Sequence, residues 1–405
     1  MWLDERNPLW RIRYQFSESD IRDALHNVAD ALKIDGLRKL SVNDLVAVLI
    51  SELPNLQHCS LQVGVDDDEV ASRAGLRTAA ISSLPIKTID LSLCSTACEA
   101  RKSYGKVTII QRAFSLLSLA RSLETLNLHR YNGVLSDDRD PIPPLPNLKN
   151  LRLTFSWLDK RTLQRLLSSC HSLRTFHYEA TTNPERCLIN WHDSPLVRTG
   201  NIHFSLPDAV KHLSNHCKTL ESVHLDLRMR GFRQCTPEPR VASSFQHFTT
   251  LNHLFLNLDE LHTVYMTPHP SGDQGLLAEL LPSTITSLHL AGQITDELPR
   301  MKQSLIGLAE AALSSQLPML EVVRWDENER LGDGFPVRTM FSAAGIDFEY
   351  SNWPLSMSTL GEKQIISHPS YFDDGYRVYG IDYIPHHELT LALLQVSPDE
   401  EDPDL

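Results

Sequence analysis

Apolar residues in this chain recur as a fixed triplet: one residue, a second three positions on, and a third two positions after that. The pattern is plainest in SLETLNLHRY from Ser122, PNLKNLRLTF from Pro146 and HSLRTFHYEA from His171. It returns in KTLESVHLDL from Lys218, TTLNHLFLNL from Thr249 and PMLEVVRWDE from Pro318. The last two apolar residues of each triplet alternate, so in an extended strand they leave by one face and the residue between them by the other. Taking the first apolar residue as an anchor gives Leu56, Ile86, Leu123, Leu148, Leu173, Leu220, Leu251, Ile285 and Leu320. The anchors are spaced by 30, 37, 25, 25, 47, 31, 34 and 35 residues. A period of about 20–29 residues holds one strand and one helix, and stacked units of this kind form a parallel sheet. Longer spacings require insertions, which belong on loops. Degenerate units flank the set at GLRKLSV (Leu37) and at SAAGIDFEYS from Ser342.

Between triplets the apolar period changes to that of a helix. The segment Leu158–Cys170 puts Leu163, Leu166 and Leu167 on one face, with Asp159 placed to cap its start. Ser205–Cys217 does the same with Val210 and Leu213, and Lys302–Leu317 is the strongest helical stretch. A helix, then Pro or Cys, then two residues to the anchor is a recurring order. It reads LPNL at Leu53 and Leu145, CHSL at Cys170, CKTL at Cys217 and LPML at Leu317. Proline stops the helix and starts an extended segment. Cysteine in the same place is expected to be a small buried apolar residue.

These lead-ins and triplets resemble the leucine-rich repeats of F-box proteins, in the irregular, helix-containing style common in fungal families. The similarity runs from about Leu37 to Tyr350. It implies an α/β leucine-rich repeat solenoid of about 9–11 irregular repeats, with a curved parallel sheet inside and helices outside. Residues 37–350 are then the solenoid, 1–36 an N-terminal helical cap, 351–396 a C-terminal cap and 397–405 an acidic disordered tail. The repeats depart from the family in one detail. The asparagine expected three residues past the last leucine is replaced by Tyr131, Ser156, Arg228 and Asp259, so backbone groups at those turns need other partners.

The function implied by the resemblance is substrate recognition in an F-box-type ubiquitin ligase. An F-box docks on a Skp-type adaptor through a short helical module. Its Leu-Pro-x-Glu opening does not precede the repeats; FSESDIRDALHNVADALKI gives a single amphipathic helix from about Glu18. The chain therefore looks like the substrate-reading half, or a truncated relative, with adaptor docking dependent on an F-box upstream. The alternative is a scaffold or regulatory binder outside ubiquitin chemistry, such as a small-GTPase partner.

Charge and composition narrow the field. The formal net charge is −13 over 405 residues, which disfavours a phosphate-backbone partner, so no nucleic acid is expected. Seven cysteines without disulfide-like spacing, no N-x-S/T sequon and no apolar signal core favour a cytoplasmic or nuclear protein. No apolar run reaches the length of about 18–20 residues that a membrane span needs.

Counting from the anchors places Ser60, Asp90, Asn127, Arg152, His177, His224, Phe255, His289 and Arg324 in one outward column. Flanking columns add His58, His129 and His253, with Glu179, Asp226, Asn257 and Asp326. The candidate protein-binding concave face is Asn127, His129, Arg152, His177, His224, Phe255, His289 and Arg324. The histidines fit either a pH-sensitive, acid-reading surface or residues merely tolerated on a half-exposed strand. Phe255 fits an interface anchor, or an aromatic covered by the insertion from about Arg228 to His247. Arg152 and Arg324 are suited to an acidic or phosphorylated group.

Catalytic and metal motifs are weak, so no enzyme activity, cofactor or metal is expected. His212 and His216 share a helix face, but no glutamate follows His212 and no third ligand is evident; a helix surface is expected there. Cys94 and Cys98 form one C-x₃-C without a second pair, and GDQG at Gly272 lacks the lysine of a phosphate loop. The acidic run Asp66–Glu69 suits a helix N-terminus. The interruption Thr181–His203, with Trp191, suits either a partner-binding loop or one packed on its own repeats.

Overall fold

Each described triplet becomes a strand, and each strand lies beside the next one in sequence. The computed structural model describes residues 50, 55–63, 83–93, 110, 113–129, 131–133, 142–180, 204–227, 244–257, 272–292, 298–327, 330–332 and 336–353. The N-terminal helix near Glu18, the unit at Leu37, Asp66–Glu69, Cys94, Cys98, Thr181–His203, the insertion from Arg228 to residue 243, and the C-terminal segment past 353 lie outside the described residues.

The strands are β1 (His58–Val63), β2 (Thr88–Leu93), β3 (Thr125–His129), β4 (Asn132–Gly133), β5 (Asn150–Leu158) and β6 (Thr175–Ala180). They continue with β7 (Ser222–Asp226), β8 (His253–Asn257), β9 (Ser287–Ala291), β10 (Val322–Asp326) and β11 (Asp347–Ser351). Ten of them form an open, all-parallel sheet in the order β1-β2-β3-β5-β6-β7-β8-β9-β10-β11, with short β4 alongside β5. The degenerate unit at Ser342 supplies β11, the last rung.

Register follows the triplets. Cys59, Ile89, Leu126, Leu151, Phe176, Val223, Leu254, Leu288, Val323 and Phe348 are successive Cα partners. All ten are buried and belong to one apolar cluster. A slip of one residue on any strand would turn its apolar pair away from that cluster, so the pattern itself fixes the pairing. The lead-ins repeat as well. One carbonyl of each unit accepts two successive amides of the next: Lys87 from Glu124 and Thr125, Glu124 from Lys149 and Asn150, Lys149 from Arg174 and Thr175. The same fork recurs at Arg174, Glu221, Asn252 and Thr286.

The helices are α1 (Phe114–Leu119), α2 (Lys160–Ser169), α3 (Leu206–Leu213), α4 (Gly272–Leu280), α5 (Leu298–Leu313) and α6 (Val337–Ala343). Asp159 caps α2 by accepting the Thr162 amide at 2.6 Å, and Leu163, Leu166 and Leu167 are buried, as the sequence predicts. Helix α3 starts at a capping box between Ser205 and Asp208, and Val210 and Leu213 face the core. Helix α5 begins earlier than its sequence pattern suggests, at Leu298 with Pro299 in its first turn, where a missing amide costs nothing. Helices α4 and α5 pack closely. A Cβ on Gly307 would overlap the Gln274 carbonyl oxygen, so only glycine permits this approach. Arg300 forks onto the Asp273 carboxylate at 2.8–3.0 Å, and the Ser304 hydroxyl donates to the Asp273 carbonyl in the same seam. GDQG is thus the first turn of α4.

Cys170 is buried as expected; burial pushes its thiol up to about 12, and its sulfur donates to the Leu166 carbonyl. At Tyr131 and Ser156 a hydroxyl relay stands in for the missing turn asparagine; Arg228 and Asp259 lie outside the described residues. The Tyr131 amide donates to Ser156 Oγ at 3.1 Å, and Ser156 Oγ donates to the Thr154 carbonyl at 2.9 Å. The Tyr178 hydroxyl donates to the Ser156 carbonyl at 3.0 Å and accepts the Leu158 amide at 3.3 Å. Phe155 adopts φ 49° where the β5–β6 register shifts between Leu153 and Ser156, a bulge that lets the strand end turn. No helix among the described residues is long and apolar enough to cross a membrane.

Candidate binding face

Strand alternation that buries the triplets sends the intervening residue to the opposite face. Parallel register then stacks those residues into one row: Ser60, Asp90, Asn127, Arg152, His177, His224, Phe255, His289, Arg324 and Glu349. Ser60 and Arg152 are exposed, while Asp90, Asn127, His177, His224, His289 and Arg324 are half-buried. Neighbouring rungs bond along the row. Asn127 Nδ2 donates to Asp90 at 2.5 Å, and Arg324 Nε donates to Glu349 at 3.0 Å.

The middle of the row is a ladder of rings. His177 stacks on His224 at 4.0 Å, and His224 stacks on Phe255 at 3.9 Å. Trp353, two residues past β11, stands edge-on to Phe255 at 5.1 Å and against His289 at 4.8 Å. Such contacts are close to the offset and edge geometries that ring quadrupoles favour. His289 Nε2 also lies 2.7 Å from Ser287 Oγ. Burial, then the charges of Arg324 and His253, press the His289 imidazolium down to about 4, against a smaller opposite effect of Glu349. His289 is therefore neutral near pH 7 and does not act as a switch near pH 6.5.

Phe255 is only 3 % exposed, so it is not an open anchor on this surface. Among the described residues its ring neighbours are His224 and Trp353; most of the preceding insertion lies outside the described residues. His129 is likewise buried, not outward, and its Nδ1 lies 2.8 Å from Thr154 Oγ1. The rest of that flanking column follows it. Glu179, Asp226, Asn257 and Asp326 are all buried. These positions lie at or beside strand ends, where buried polar groups meet close partners, except that the Asn257 side-chain amide has no hydrogen-bond partner among the described residues. Asp326 accepts the Gly292 amide at 2.8 Å, and Glu179 meets His177 Nε2 at 2.9 Å. The other flank is as expected, with His58 and His253 exposed.

His212 and His216 also differ from expectation. Both are buried rather than on a helix surface, and burial lowers the pKa of each. His216 Nε2 lies 3.1 Å from the Leu167 carbonyl, which ties the 3-10 turn after α3 to the end of α2. Two features of the face are not apparent from the triplets. Trp353 gives no local signal, because its partners lie on β8 and β9. The convergence of His177, Glu179 and His224 does have one: histidine, any residue, acid, at equal register in two successive units.

No family model matches this sequence, and no curated protein matches it.

Proposed function

We propose that this chain is a leucine-rich repeat solenoid that binds another protein on the sheet face bearing Asn127, Arg152, His177, His224, His289 and Arg324. The observation that carries the reading is the register: each of ten strands adds one non-core side chain to a continuous row, and the row is almost entirely polar. Stacked units that present one broad strand face suit an extended protein partner. The row's arginines are of a residue type that dominates interface energies, and Phe255 and Trp353 give the neighbouring imidazoles a firm backing.

The lead-ins resembling those of F-box proteins give this reading its more specific form. The chain reads substrates for a cullin-type ubiquitin ligase, or descends from a protein that did. Purified full-length chain, tested for co-migration with a Skp-type adaptor and a cullin, decides this form: a stable complex supports it. Recovery of another partner, such as a small GTPase, with no adaptor bound leaves a recognition module outside ubiquitin chemistry. Replacing Arg152 and Arg324 by glutamate together tests the face itself. Affinity for the partner is expected to fall by roughly tenfold or more, as for loss of charge-assisted contacts. Unchanged affinity moves the binding surface elsewhere.

A further inference from the structure

Two successive strands carry the same short pattern: His177-Tyr178-Glu179 on β6 and His224-Leu225-Asp226 on β7. Parallel pairing makes His177 the Cα partner of His224, and Glu179 the partner of Asp226. Residues two apart on a strand share a face, so His177 and Glu179 turn toward each other and toward His224. One donor atom from each of the three lies within 4.8 Å of the others. Among the described residues, no other group of three or more histidine, cysteine or acidic side chains meets that spacing.

We propose that His177, Glu179 and His224 bind one divalent first-row transition ion. The donor set selects the class. Two imidazoles with one carboxylate suit Zn²⁺ and its neighbours, whereas Ca²⁺ and Mg²⁺ prefer oxygen-only sets. Glu179 is buried, and a carboxylate taken from water costs several kcal/mol unless countercharge meets it. His177 Nε2 lies 2.9 Å from that carboxylate, and a divalent cation held between them supplies the countercharge. His177 and His224 are only half-buried, so an ion can arrive from solvent, and the fourth position opens to water or to a partner's donor group.

Binding needs a modest rearrangement. A tetrahedral ion with bonds of about 2.0–2.1 Å holds its ligand atoms roughly 3.3 Å apart. The two rings now stack at 4.0 Å with 14° between their planes, so their nitrogen lone pairs lie in two nearly parallel planes. To aim at one centre the rings must splay, and the His177–Glu179 hydrogen bond must open. Strand pairing already fixes the Cα positions, so side-chain torsions suffice. The bond balance is simple: two Zn–N bonds and one Zn–O bond to the protein form, the bonds to the hydration waters they displace break, and any proton shared by His177 and Glu179 leaves to solvent. His177 and His224 also lie on the face proposed for protein recognition, but the proposed metal site does not depend on that reading, and its test reads metal binding alone.

The test uses full-length chain, stripped by chelator and titrated with Zn²⁺ or Co²⁺ alone. His224→Phe keeps the stack on Phe255 and removes a ligand; Glu179→Gln keeps the size of the side chain and removes its charge. The wild type is expected to bind about one equivalent more than His224→Phe, with roughly tenfold or more weaker binding in Glu179→Gln. The Co²⁺ visible absorption of that equivalent should vanish in His224→Phe. His212→Gln, placed outside the cluster, should change nothing. Equal stoichiometry and affinity in wild type, His224→Phe and Glu179→Gln overturn the proposal. X-ray absorption on Zn²⁺-loaded wild type is independent of how any variant folds: imidazole and oxygen scattering supports the site, and a sulfur shell in their place overturns it.

Discussion

Strand β9 holds both characters of this sheet within three residues. Leu288 and Leu290 are fully buried on the helix side, and His289 between them is half-buried on the other. On the helix side the row reads Ile89, Leu126, Leu151, Phe176, Val223, Leu254, Leu288 and Val323, all buried in one apolar cluster. On the other side the row reads Asp90, Asn127, Arg152, His177, His224, Phe255, His289 and Arg324, where Asn127 bonds Asp90, His177 stacks on His224 and His224 stacks on Phe255. Burial alone explains the first row. The second is held by pairings across rungs, each specific to two side chains. One backbone ladder thus carries a generic face and a particular one.

The sharpest way to break this contrast is to truncate the generic side. Leu288→Ala removes a fully buried side chain from the centre of the apolar cluster. Loss of buried methyls plus an unfilled cavity should cost about 2–5 kcal/mol. Denaturant unfolding, read as a change in midpoint at constant slope, measures it. A cost below about 1 kcal/mol would show that β9 does not pack as one rung in a shared core.

The next largest effect separates the faces by pH. His289 titrates at about 4 in the folded chain, while an unconstrained histidine titrates near 6.5. Between those values the unfolded chain binds the extra proton and the folded chain does not. Stability therefore rises with pH across that window, and acidification from 6.5 toward 4 removes it. The slope from this residue is at most about 1.4 kcal/mol per pH unit. His289→Gln should flatten the curve by that slope, whereas Leu288→Ala should shift it without changing its shape. An unchanged slope in His289→Gln would mean that water reaches the imidazole freely.

How far the sequence foretells each face follows from the same contrast. The triplets name their own strands, because apolar alternation is a property of each segment alone. Leu163, Leu166 and Leu167 on α2, the Asp159 cap and even the last rung at Phe348 are legible for that reason. The hydroxyl relay through Tyr131, Ser156 and Tyr178 is only half legible: the missing asparagine is visible, its substitute is not. Gly307 against Gln274, and Trp353 against Phe255, are contacts between units whose insertions hide their alignment. The column of His129, Glu179, Asp226 and Asp326 fails for another reason. Strict alternation sends it outward, but it lies at or beside strand ends, where His129 meets Thr154, Glu179 meets His177 and Asp326 accepts the Gly292 amide.

Phe255 is where the two faces come closest in character, and it yields the finest test of the difference. It sits in the polar row yet is as buried as the apolar one. If only the removal of area from water mattered, a leucine of similar bulk would serve nearly as well. The ring, however, stacks on His224 at 3.9 Å and meets the edge of Trp353 at 5.1 Å. Aromatic pairs contribute about 0.5–1.5 kcal/mol beyond their area. Phe255→Leu should thus cost about 1 kcal/mol, less than truncating Leu288 and more than a volume-matched exchange within the apolar row. It should also change the fluorescence of Trp353 in the folded chain, since one wall of the indole's surroundings is replaced. A neutral substitution with an unaltered emission spectrum would make Phe255 an ordinary core residue that happens to point the other way, and the ring ladder would then have no share in stability.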